Sequence, residues 1–143
     1  MPFEFLDEIA TADVAFSAWA ETIEEMFADA SEAAMNVMVE NLEAIERKEM
    51  REIEGEAESV DMLLFGLLQE LIYYKDAEQL LLRIEDVRVG YNNGLYSVGA
   101  TGWGEKIDPD KHHLIVDVKA VTLHHFKVEQ THRGWETLVI LDI

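Results

Sequence analysis

The chain opens on alternating residues. Phe3-Glu4-Phe5-Leu6 reads as a short strand. From Thr11 to Trp19, Val14, Phe16 and Ala18 fall on one side, and Asp13, Ala15, Ser17 and Trp19 on the other. A period of two held this long predicts a strand, with Asp13 near its start.

The period then changes to that of a helix. Thr22-Ile23-Glu24-Glu25 has capping-box spacing, a hydroxyl followed three positions later by a carboxylate. Ile23, Met26, Phe27, Ala30, Ala34, Val37 and Met38 form one apolar stripe, which predicts an amphipathic helix of about four turns with Glu24, Asp29 and Glu32 outward. Glu43 to Glu58 is rich in acid and alternates weakly from Met50 to Glu56. It reads as an edge strand whose charges discourage edge-to-edge pairing. Ser59 is placed to cap a second helix, Val60 through Tyr74, with Asp61 favourable in its first turn. Val60, Leu63, Leu64, Leu67, Leu68, Leu71 and Ile72 give that helix a wide apolar face, so it should be the more buried of the two.

Strands account for the remainder. Leu80–Tyr91 and Leu95–Trp103 flank Asn92-Asn93-Gly94, and Asn93-Gly94 is a type I′ hairpin signal. Gly99, Gly102 and Gly104 around Trp103 point to a bulge or a close backbone approach. Asp108-Pro109-Asp110-Lys111 reads as a turn, Leu114–Gln130 as one long strand, His132-Arg133-Gly134 as a turn and Trp135–Ile143 as the last strand. The expected fold is therefore α+β: a mostly antiparallel β-sheet with two α-helices packed on it, in the order strand-helix-strand-helix followed by antiparallel strands. Residues 1–143 read as a single domain without repeats or linkers.

Composition narrows the function. A chain of 143 residues buries roughly two-thirds of its unfolded surface and needs no staple. It has no Cys, which removes disulfides, thiolate zinc sites and cysteine nucleophiles together. No apolar run reaches the roughly 20 residues that span a bilayer, and the first residues lack the basic start of a signal peptide. A soluble, cytoplasmic protein is expected. Its 30 acidic residues against 11 basic ones leave a net charge of −19, with no Lys/Arg cluster to neutralise phosphates. Direct nucleic-acid binding is not expected, although an acidic protein can serve nucleic acid through a partner enzyme with a basic surface.

Candidate chemistry gathers at the last strand. Its end places the α-carboxylate of Ile143 one residue from the carboxylate of Asp142. Two fixed negative groups repel unless a cation or a donor compensates, and oxygens so held suit a hard cation such as Ca²⁺ or Mg²⁺. Asp13, among small and apolar neighbours, also needs a partner. If the first long strand lies beside the last, Asp13, Asp142 and the Ile143 carboxylate converge. The sequence does not show that pairing and leaves open that both aspartates are ordinary strand-end residues. The histidines offer less: adjacent His pairs on a strand point to opposite faces, and no His-x-x-x-His spacing occurs. Ser31, Ser59 and Ser97 lack a nucleophile-elbow context, and the glycines match no phosphate loop. Nothing in the residues specifies an enzyme.

Taken in order, these stretches resemble the archease family, protein cofactors of the tRNA-splicing RNA ligase. Phe5-Leu6-Asp7 followed by Thr11-Ala12-Asp13-Val14 resembles its N-terminal signature, and Glu24, Phe27 and Ala30 match the E-x-x-F-x-x-A pattern of its first helix. Leu63-Leu64 through Glu70-Leu71-Ile72-Tyr73 is similar to its second helix, and Trp103-Gly104-Glu105 to its W-G-E element. Asp117-Val118-Lys119-Ala120-Val121-Thr122 with His124 resembles its V-K-A-[IV]-T-x-H strand, and Val139-Ile140-Leu141-Asp142-Ile143 its V-I-[LI]-D-I terminus.

The resemblance implies a divalent ion, usually calcium, held by Asp13, Asp142 and the Ile143 carboxylate. Lys119, Glu40 and His124 are implied as supporting or partner-contacting residues. Two positions depart from the family pattern: Ala10 stands where a His often precedes Thr-Ala-Asp, and Glu40 where many members have Asp. The implied role is that of an activator rather than a catalyst. It would promote guanylylation and multiple turnover of the ligase and broaden its nucleotide use. The alternatives are an acidic chaperone or specificity factor for a tRNA cytosine-5 methyltransferase and, last, a metal-dependent hydrolase.

Overall fold

A computed structural model describes residues 2–6 and 13–143. Eight strands and two helices follow in the order β1 (Phe3–Leu6), β2 (Asp13–Ala20), α1 (Ile23–Met38), β3 (Glu49–Ala57), α2 (Val60–Glu78), β4 (Leu80–Asn92), β5 (Leu95–Lys106), β6 (Ala120–Val121), β7 (Lys127–Thr131) and β8 (Gly134–Asp142). A short 3₁₀ turn, Leu42–Ala44, lies between α1 and β3. The expected α+β class holds, with the antiparallel strands divided between two sheets. One has the order β1-β2-β8-β6 with β7 also paired to β8, and the other the order β3-β5-β4.

Helix α1 begins as its capping box dictates. Thr22 accepts the Glu25 N–H at 3.1 Å, and its hydroxyl donates to the Glu25 carboxylate at 3.0 Å. The second helix departs from expectation at both ends. Ser59 has the extended backbone of a cap, but its side chain makes no capping bond. The helix runs a turn beyond Tyr74 and stops where Gln79 turns left-handed at φ 54°. Its buried face is Leu63, Leu64, Leu67, Leu68, Leu71, Ile72 and Lys75. None of the described helices is long and apolar enough to cross a membrane.

Both helices share one core with both sheets, through residues such as Phe16, Phe27, Leu64, Leu82 and Val139. The acid-rich β3 is the edge of its sheet, as expected. The β4–β5 hairpin turns at Asn93 and Gly94, whose φ values of 52° and 82° are those of a type I′ turn. Gly104 is the close approach the glycines announced: a Cβ there would lie 1.6 Å from the Leu81 carbonyl oxygen. The irregularity in this hairpin falls on β4 instead, between Glu85 and Arg88.

Leu114–Gln130 is not one strand. Leu114 bridges to Val39 after α1, and Ile115 N–H donates to Met38 O at 2.8 Å. Further on, β6 pairs with the end of β8 and β7 with its beginning. Between them Leu123–Phe126 leaves the ladder, with His125 at φ 56°. The excursion packs the Phe126 ring edge-on against Phe65 of α2, at 5.7 Å. Apolar alternation along this stretch is thus divided among three different partners, which a single chain pattern cannot reveal.

Candidate metal centre

Strands β2 and β8 lie side by side, antiparallel, and their register sets Asp13 directly opposite Asp142. Directly opposed residues of an antiparallel pair project from the same face with Cβ atoms about 5 Å apart. The register follows from side-chain period: Val14 and Phe16 meet Leu141 and Val139 on the core face, so Asp13 and Asp142 take the other. Ile143 comes next, and its side chain packs against the core. The end of β8 is therefore held by packing.

On the other edge of β8 the backbone is doubled. Ala120 is the register partner of Asp142, while Lys119 N–H donates to the Asp142 carbonyl at 2.8 Å. Two consecutive residues facing one is the arrangement of a β-bulge, which re-aims side chains at a strand end. It sets the Lys119 backbone beside that of Asp142, while the exposed Lys119 side chain enters no ion pair among the described residues. The ladder continues at Thr122, whose N–H donates to Ile140 O at 3.0 Å. Among the described residues, Thr122 Oγ1 is the buried side-chain polar atom left without a hydrogen-bond partner.

Asp13 and Asp142 thus face each other, with Ile143 next in the chain and the Lys119 backbone alongside, and Glu40 and His124 do not join them. Glu40 faces His113 at 3.5 Å, near the Val39–Leu114 bridge. His124 lies in the excursion with its ring 4.1 Å from that of His125, so this pair is in a turn and not on a strand as expected. Among the described residues no three His, Cys, Asp or Glu side chains form a metal-binding group. The donors that the register brings together are the side-chain carboxylates of Asp13 and Asp142. Their chemistry fits a hard divalent cation, which takes oxygen ligands and completes its shell with water.

Two residues carried no expectation. Lys75 is nearly buried, donates to Val118 O at 2.6 Å, pairs with Asp76 at 2.8 Å and also contacts Asp117. Its position, i+7 on the stripe Leu68-Leu71-Ile72, was the available signal. Thr122 stood within a recognised motif but had no role assigned. A third buried group, Glu105, receives Lys111 at 2.7 Å, His112 at 3.0 Å and the Glu46 N–H at 2.8 Å, a network that fastens the loop after β5.

The family model of the archease protein family (MTH1598/TM1083) matches residues 3–143. Protein archease of Pyrococcus abyssi is 36% identical over 134 residues, covering 93% of this chain and 94% of that one. Protein archease of Methanopyrus kandleri is 32% identical over 143 residues and covers all of both chains. Among solved structures, protein 1598 of Methanobacterium thermoautotrophicum superposes with a TM-score of 0.86 at 31% identity, over 99% of each chain. An archease, possible chaperone, from Thermotoga maritima shares the fold, with a TM-score of 0.56 at 21% identity over 94% of this chain and 93% of that one. This chain belongs to the archease family.

Proposed function

We propose that the protein is a non-catalytic activator of the tRNA-splicing RNA ligase, promoting ligase guanylylation and multiple turnover and broadening nucleotide use. Asp13, Asp142 and the Ile143 carboxylate would hold a divalent cation, Ca²⁺ in this reading. When bound, the ion supplies positive charge for phosphate or carboxylate oxygens. The observation that carries the reading is the direct opposition of Asp13 and Asp142 on neighbouring strands. Two carboxylates fixed face to face repel one another, and a shared cation turns that cost into binding.

The net charge of −19 suits a partner whose surface is basic for RNA, and attraction of this kind speeds docking. The acidic strand end would dock near the nucleotide pocket of the ligase, where the ion organises phosphates. Multiple-turnover RNA ligation with wild type, Asp13→Ala and Asp142→Ala tests the reading. Stimulation by wild type and its loss in both folded variants supports it. A folded wild type that does not stimulate removes it for that ligase.

A second reading, a chaperone or specificity factor for a tRNA cytosine-5 methyltransferase, draws on exposed apolar side chains. Leu114, Ile115 and Leu123 are 46%, 55% and 59% exposed. It requires no ion, so function would survive Asp142→Ala.

A further inference from the structure

Among the described residues, the buried hydroxyl of Thr122 has no hydrogen-bond partner, and Thr122 lies on the strand edge that borders Asp142. Thr122 pairs with Ile140 through the bond from its N–H to Ile140 O, and Ile140 lies two residues before Asp142. Alternation along a strand puts residues i and i+2 on one face, so Thr122 shares the face of Ala120, Asp142 and Asp13. It occupies the diagonal position relative to Asp142, roughly 7–8 Å away between backbones, a gap that the two side chains together with a water between them can span. A buried hydroxyl without a partner forfeits its hydration with nothing in return, so such groups are rare unless a bound species completes them. Valine would fill the same volume without that cost.

We propose that Thr122 Oγ1 accepts a hydrogen bond from water coordinated to the divalent cation at Asp13 and Asp142, making Thr122 a positioning residue of that site. The inference rests on the metal reading above and adds to it a residue outside the set of carboxylates. Groups that hold a metal's ligands in place typically change affinity by 10- to 100-fold when removed. The site should hold no such preference for the hydroxyl when the ion is absent. Removal of the hydroxyl therefore has opposite effects on the two states.

Calorimetric titration with CaCl₂ of wild type, Thr122→Val, Thr122→Ser and Asp142→Asn, with thermal melts of each in EDTA, tests this. Thr122→Val should bind calcium at least about tenfold more weakly while its metal-free melting temperature equals or exceeds that of wild type. Thr122→Ser, which keeps the oxygen, should retain most of the affinity. Should valine unfold the chain, Thr122→Ala removes the same oxygen without its bulk. Calcium binding lost in Asp142→Asn but unchanged in Thr122→Val and Thr122→Ala overturns the Thr122 assignment alone. A folded wild type that binds no calcium overturns the metal reading and this proposal together.

Discussion

Lys75 donates its ammonium to the carbonyl of Val118 at 2.6 Å, one residue before the N–H that holds Asp142. A lysine on the apolar face of a helix is costly unless its charge is met, and here Asp76 and Asp117 meet it. Its place in the last turn of α2 also favours a cation. The consequence for the site is positional: Lys75 fastens the segment that carries Lys119 to the body of the protein.

Lys75→Met keeps most of the buried stem and leaves the Val118 carbonyl without its donor. The expected loss is about 1–3 kcal/mol, the cost of an unmet buried polar group. Urea unfolding should show a lower midpoint with an unchanged slope, the mark of altered stability alone. An unchanged midpoint would mean that water satisfies Val118 and that Lys75 fastens nothing.

Two glycines give opposite predictions. At Gly104 a Cβ would lie 1.6 Å from Leu81 O and 2.7 Å from its carbon, so β4 and β5 would have to part. Gly104→Ala should cost about 4 kcal/mol or prevent folding, at the upper end of single substitutions. Gly66 is exposed within α2, and a Cβ added there would meet nothing within 4 Å. There Gly66→Ala should stabilise by about 0.5–1 kcal/mol, because alanine loses less backbone freedom in a helix. Thermal melts of the two variants should move in opposite directions.

Acid stability is bounded by Asp29 and Glu105 from opposite sides. Burial, with the charges of Glu25 and Glu32 added, raises the Asp29 carboxyl from 3.8 to about 6. The folded chain then holds this proton more tightly than the unfolded chain, so stability falls as pH rises from near 4 through 6. For Glu105, burial acts upward but is outweighed by hydrogen bonds from Lys111, the Glu46 N–H and His112, which hold it down to about 2. Its contribution is complete above 4.5 and is lost as pH falls through about 2. Asp29→Asn should raise the melting temperature at neutral pH and lose that gain near pH 4. Glu105→Gln should lower it at neutral pH and weaken its dependence below pH 4. A neutral-pH melting temperature unchanged by Asp29→Asn would show that its burial carries no cost.

Local chemistry was legible wherever a few neighbouring residues decide the outcome. Thr22 with Glu25 fixes the start of α1, and Asn93-Gly94 fixes the hairpin. Relations between distant segments were not. Asp13 and Asp142 are far apart in the chain, and no periodicity states that β2 and β8 are neighbours; the resemblance named both residues, and the register joined them. The stretch from Leu114 to Gln130 looked like one strand because alternation records exposure without recording which partner causes it. Ser59 marked a helix start correctly by residue type, yet its hydroxyl makes no capping bond. Lys75 was missed because it acts through tertiary contacts that its neighbours in sequence do not announce, and the burial of the Thr122 hydroxyl is likewise set by the tertiary fold.

The third donor of the proposed site is a main-chain carboxylate, and this makes it separable from the fold. The Ile143 side chain packs against the core, whereas its carboxylate would, in the proposed site, join that of Asp142. Extending the chain by Gly-Ser-Gly after Ile143 replaces that charge with a neutral amide and leaves the isoleucine side chain in place. Calcium affinity should fall by about tenfold or more, since affinity for a hard cation follows the charge of its ligands. The metal-free melting temperature should stay within the range of ordinary surface changes, about 0.5 kcal/mol in stability. The same extension placed before Met1 controls for added length and should leave calcium binding unchanged. Equal calcium affinity with and without the extension at Ile143 would remove its carboxylate from the donor set. The site would then rest on Asp13, Asp142 and whatever oxygens the ligase or water provides.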